Sequence, residues 1–182
     1  FIWDDFCDWY IELAKIRLFA GGEQSDGAQR VLVYVMDKIL KLLHPFMPFI
    51  TEEIWQSIPH EGEALVKAPF PEYSAELDFT ADEEAMNLIM AAIKEIRTKR
   101  AVMNIPLSKK AALYIETDKP ETFSKGADFF KRLAGVSEIE IGTELSVANS
   151  LSLVVPSAKL MIPMNELVDM EKERARLNKE KA

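Results

Sequence analysis

The chain holds one cysteine, Cys7, and two histidines, His44 and His60, in 182 residues. One thiol excludes a disulfide framework and a thiolate metal cluster, and a reducing cytoplasm fits. So few nitrogen and sulfur ligands leave no credible metal site. Cations are also scarce: 22 lysines and arginines stand against 30 acids, for a net charge of −8. That excludes a uniformly basic surface, so any grip on nucleic acid must come from local clusters. No apolar run reaches the roughly 18 residues of a membrane helix, so no membrane contact is expected, and no signal peptide is visible. There is no glycine-rich phosphate loop and no nucleophile with a base beside it. We therefore expect no catalytic residue in this chain.

The apolar share of 48% is ample for a core, and the length allows one large domain or two small ones. The chain is organised around residues 42–55. Pro45 and Pro48 sit inside a run that holds Phe46, Met47, Phe49, Ile50, Ile54 and Trp55. Proline stops a helix near His44 and is welcome in the first turn of the next. A sharp corner between two helices is predicted, with Phe46, Met47 and Phe49 plugging a helical bundle. Upstream, Ile2, Phe6, Trp9, Leu13 and Ile16 recur at helical spacing, and Trp3 and Tyr10 widen that face. Gly21 and Gly22 end this helix, residues 23–27 form a loop, and a second helix covers about 28–43. A third covers about 48–58, with Ile54 and Ile58 on one face. Leu65, Val66 and Phe70 then lay an irregular strap across the bundle.

Thr80 to Glu83 has the spacing of a capping box ahead of a long helix that runs to about Arg100. After Pro106 the period changes. Strands are predicted at about 112–116, 136–141, 151–155 and 160–164, with a helix over 120–133. From Asn165, Leu167, Met170, Arg174, Leu177 and Lys181 alternate by three and four, as at the start of a coiled coil. The fold class is thus mainly α with a small α+β unit. A helical bundle covers 1–79, the long helix and an α+β subdomain cover 80–164, and the root of a coiled-coil arm covers 165–182. Phe1 lies inside a helical pattern, and the chain reads as a piece of a longer protein.

The corner from His44 to Gln56 resembles the signature of the anticodon-binding domain of class I aminoacyl-tRNA synthetases, in the valine, isoleucine and leucine branch. The run Phe6-Cys7-Asp8-Trp9-Tyr10-Ile11-Glu12, with Lys15 one turn on, is most similar to the valine member. The stretch from Ile96-Arg97 to Asn104-Ile105-Pro106 is similar to the same branch. This resemblance implies a parent ligase, monomeric and cytoplasmic, that activates its amino acid with ATP and magnesium. It implies valine-specific tRNA as the partner, held by a non-catalytic region. The isoleucine and leucine members remain alternatives, as does a helical protein-interaction scaffold.

Candidate RNA contacts follow. Lys94, Arg97, Lys99, Arg100, Lys109 and Lys110 face a single acid, Glu95, between residues 94 and 110. Arg97 and Arg100 are three apart, and Asn104 joins them if the helix runs on one turn. Guanidinium forks suit phosphates; alternatively these cations offset the helix dipole, the reading favoured for Lys94, Lys109 and Lys110. Lys15 closes the first helix and carries the same two readings. Arg174 and Arg176 could touch the tRNA from the charged tail, or could form internal salt bridges there. The tryptophans could stack on bases, but at helical spacing they read as core.

Overall fold

The computed structural model describes residues 1–167. Two units form, one of Phe1–Asp78 and a second that begins at Phe79.

The first unit is helical. Ile2–Tyr10 winds as a π-helix, in which the Phe6 N–H reaches the Phe1 carbonyl and the Ile11 N–H that of Phe6. The expected face is kept, with Ile2, Trp9, Leu13 and Ile16 half-buried around Phe6, but it does not widen to Trp3. Phe6 is buried and stacks on Tyr10 at 5.6 Å, whereas Trp3 is exposed. The chain continues as α1, Ile11–Leu18, and turns through Gly21 and Gly22 at positive φ. Helix α2, Gly22–Leu43, begins six residues earlier than periodicity suggested. The polar residues 23–27 are helical because Ser25 is buried and donates its hydroxyl to the Leu18 carbonyl.

The corner forms where the prolines demand it. The last bonds of α2 run from His44 and Met47 back to Leu40 and Leu43, and Pro48 opens α3, Pro48–Gln56. Its apolar residues do not plug a core: Phe46 and Phe49 are 83% and 90% exposed. The face of α3 that packs on α2 is instead Thr51 and Trp55, one turn apart, while Ile54 is 37% exposed. Trp55, 1% exposed, packs with Leu40 and Leu65, and Met36, Ile58 and Ala68 close around them. Burying side chains of this size contributes about 1.5–3 kcal/mol each.

Polar groups fix this core in register. The Trp55 indole N–H donates to Asp37 at 2.8 Å, and Lys41 donates to the other carboxylate oxygen at 2.7 Å. Burial alone would raise the Asp37 pKa, but bonds from Lys41 and Trp55 and the charges of Lys41 and Lys38 outweigh it and lower it. The Thr51 hydroxyl donates to the Met47 carbonyl at 2.8 Å. Its single proton is thereby spent, so it accepts from the Nδ1–H of His44, also at 2.8 Å. Glu52 holds the strap, accepting the Leu65 N–H and the Gln56 amide. These two bonds, the Gln56 one foremost, keep the Glu52 carboxyl below its usual range. Of the three apolar strap residues expected to cover the bundle, Leu65 inserts and Val66 and Phe70 stay exposed.

The second unit opens with α4, Thr80–Val102. Thr80 is its first helical residue, so Phe79, not Thr80, occupies the capping position, and no side-chain cap bond forms there. Four strands form one sheet in the order β2-β1-β4-β3: β1 Ala111–Thr117, β2 Val136–Gly142, β3 Ser150–Val155 and β4 Ala158–Pro163. Parallel β1 and β2 require a crossover. It is made by α5, Pro120–Lys125, and α6, Ala127–Leu133, which Gly126 divides. The hairpin β3–β4 turns at Pro156-Ser157, and β4 pairs antiparallel with β1. Helix α4 packs on β3, while α5 and α6 pack on β2. Ile89, Ile93 and Ile96 of α4 are buried, as are Leu113, Ile115, Phe123, Phe130, Leu160 and Ile162. A last turn, Met164–Leu167, receives the Ala112 N–H on Glu166. The coiled-coil expectation falls almost wholly outside the described residues.

Candidate nucleic-acid interface

The basic stretch lies in the second unit, at the C-terminal end of α4 and in the loop to β1. Buried positions of α4 recur at four, three and four: Ile89, Ile93, Ile96, Arg100. Arg100 thus occupies a core position and is 2% exposed. Its Nη1 donates to the carbonyls of Lys109 at 2.8 Å and Pro106 at 3.2 Å; its Nη2 donates to that of Gly135 at 2.9 Å. Nε is buried without a partner, and burial lowers the pKa of the group. Charge-assisted bonds contribute about 1.5–3 kcal/mol each, against several kcal/mol for desolvating the ion. The terms roughly offset, so Arg100 organises the loop more than it stabilises the unit. The expected phosphate contact of Arg100 is corrected accordingly: its fork is spent on three carbonyls.

Asn104 does not join a helical face either. The helix stops at Val102 and Asn104 takes φ +53. The Asn104 N–H bonds the Ala101 carbonyl and the Ile105 N–H that of Arg100, at 3.0 and 2.8 Å. That double bond pattern closes a helix through a left-handed residue. It turns the chain back so that residues 106–109 lie over Arg100.

The remaining cations divide by exposure. Arg97, three residues before Arg100, is exposed, as are Lys94, Lys109 and Lys110; Lys99 is half-buried. None of these has an ion-pair partner among the described residues. Elsewhere some lysines are paired, Lys41 with Asp37 and Lys67 with Glu63, whereas Lys119, Lys125 and Lys131 also have no ion-pair partner among the described residues. Lys15, in the first unit, is half-buried and bonded to Glu12. Arg174 and Arg176 lie outside the described residues. Trp55 is core, and Trp3 is an exposed ring.

Sequence reasoning missed the anchoring roles of Asp37 and Glu52, for which spacing offers no signal, since their partners are 18 and 13 residues away. Among the described residues no cluster of histidine, cysteine and acids could hold a metal, and no helix is long and apolar enough to cross a membrane. An open depression is lined by Pro120, Glu121, Ser124, Lys125 and Ile141.

A family model described as the anticodon-binding domain of tRNA ligase matches residues 1–115. The chain is 42% identical to a valine–tRNA ligase of Staphylococcus aureus (strain MRSA252) and, equally, to one of Bacillus licheniformis. Each alignment covers 97% of this chain and 21% of the relative, so the chain spans about a fifth of the length of these curated relatives. With more than half of its residues matched by the family model, the chain belongs to the anticodon-binding domain family of tRNA ligases.

Proposed function

We propose that this chain is the tRNA-holding region of a valine–tRNA ligase, an enzyme that joins valine to its tRNA at the expense of ATP. The observation that carries the reading is the 42% identity, across nearly the whole chain, to two proteins of that name. The same observation favours valine over isoleucine or leucine, and a ligase over an interaction scaffold. The role of the region is positional. It grips the anticodon arm, and so sets the acceptor end in a distant catalytic site where ATP and magnesium act. Affinity comes from phosphate contacts through exposed cations such as Arg97, and discrimination from unpaired bases. The parent works as a cytoplasmic monomer. The three-and-four spacing of Leu167, Met170, Arg174, Leu177 and Lys181 supports a coiled-coil arm beyond the sheet.

The test is a titration of the chain with valine tRNA and an anticodon-substituted copy, at two salt concentrations, with backbone footprinting. Protection of the anticodon arm, weakened by the substitution, is expected. Arg97→Ala should reduce the log–log salt slope by about 0.7–0.9. Absence of salt-dependent binding to either tRNA would overturn the proposal.

A further inference from the structure

The joint under the α4–β1 loop is built more firmly than a solvated connection requires. Arg100 reaches two carbonyls in the loop, those of Pro106 and Lys109, and one at the start of β2, that of Gly135. The Gly135 carbonyl also accepts the Ala111 N–H, at the first residue of β1. Gly135 itself has φ +66, and a Cβ there would lie 2.6 Å from the Leu107 carbonyl oxygen. Two unrelated devices, a buried guanidinium and a close backbone approach, therefore hold the same loop. Lys109 and Lys110 are exposed at its end and have no ion-pair partner among the described residues. Among the described residues no carboxylate pairs with the buried Arg100 cation, so its charge adds to the field above the loop. A fixed backbone carrying two adjacent ammonium groups over a third cation fits a polyanion whose charges are regularly spaced.

We propose that Arg100 and Gly135 position a phosphate-binding loop, residues 105–110, whose Lys109 and Lys110 grip the RNA backbone. The inference rests on the tRNA-binding reading and adds a contact surface in the α+β unit. Arg100 and Gly135 are positioning residues. They touch no phosphate and act by holding Lys109 and Lys110 where phosphates pass. The ligand is the sugar-phosphate backbone, without base preference, because ammonium groups are point charges rather than geometric readers.

The experiment measures binding of the chain to valine tRNA over a salt series, with each variant's fold checked by circular dichroism. Lys109→Ala/Lys110→Ala should lower the log–log slope by about 1.4–1.8, two contacts at about 0.7–0.9 each. Gly135→Ala removes no charge and Arg100→Lys keeps it, yet both should lower the slope by the same amount. Adding Gly135→Ala to the lysine double variant should change the slope no further. A full slope in the lysine double variant, whose exposed changes leave the core intact, overturns the inference even if both joint variants fail to fold. A full slope in folded Gly135→Ala overturns the positioning role. Slopes unchanged throughout would leave the tRNA-binding reading standing, whereas no salt-dependent binding by the unaltered chain would remove both.

Discussion

Replacing Asp37 by alanine tests how the helical unit holds its one buried tryptophan. Trp55 is 1% exposed, so its N–H cannot turn to water when the acceptor goes. An unsatisfied buried donor costs about 1–3 kcal/mol. Lys41 also loses its partner; the side chains of that pair are 13% and 18% exposed. The pair therefore contributes nearer the upper end of the roughly 0–1 kcal/mol found for surface pairs. The expected loss is about 2–4 kcal/mol, which moves a urea midpoint by about 2 M or more at a slope near 1 kcal/mol/M. Asp37→Asn, which retains an acceptor for the indole but not the charge, should lose about half as much. The folded carboxyl has its pKa lowered, so its contribution is fully present above the unfolded value, near 3.8, and is lost as pH falls through the folded value. Wild type should thus shed this stability below about pH 4, and the alanine variant should lack that slice of the acid transition. A midpoint shift under about 0.5 M, or an unchanged acid transition in the variant, would refute the reasoning.

Two further substitutions probe other joints. Gly126→Ala places a Cβ 2.8 Å from Cδ1 and 3.1 Å from Cγ2 of buried Ile89. It should cost about 1–3 kcal/mol, lowering the melting temperature of that unit by about 4–8 °C per kcal/mol; Ile89→Val in the same chain should restore part, and no loss in the single variant would contradict the packing. Glu52→Ala frees the Leu65 amide, so its hydrogen exchange should quicken while that of the α2 amides holds, and equal protection in both chains would show that the carboxylate does not pin the strap.

Much of this architecture was legible because single residues forced it. Pro45 and Pro48 placed the corner to within a residue, since a missing N–H and a fixed φ leave little choice. The four strands were readable from the change of period after Pro106. What escaped depends on contacts made at a distance. Phe46 and Phe49 read as core by composition, yet α3 packs through Thr51 and Trp55 and turns both rings outward. The start of α2 was hidden because glycine and polar residues fill its first turns, and only the Ser25 bond to α1 explains them. In the candidate interface, Arg97 and Arg100 look equivalent along the helix. They part company because Asn104 folds the following loop over one and not the other. No spacing rule reports a carbonyl nine residues ahead.

The strand order β2-β1-β4-β3 has a consequence for a chain that emerges from its N-terminus. Strand β1 is central, with β2 on one side and β4 on the other. Its parallel partner arrives first, after the short helices of the crossover. The opposite edge cannot close until Pro163 has been made. Over that interval the hydrogen-bonding groups on the β4 side of residues 114–117 are open to any passing strand. Long-range pairing of this kind is slow to form, so the sheet is the last part of the described chain to become safe from its neighbours.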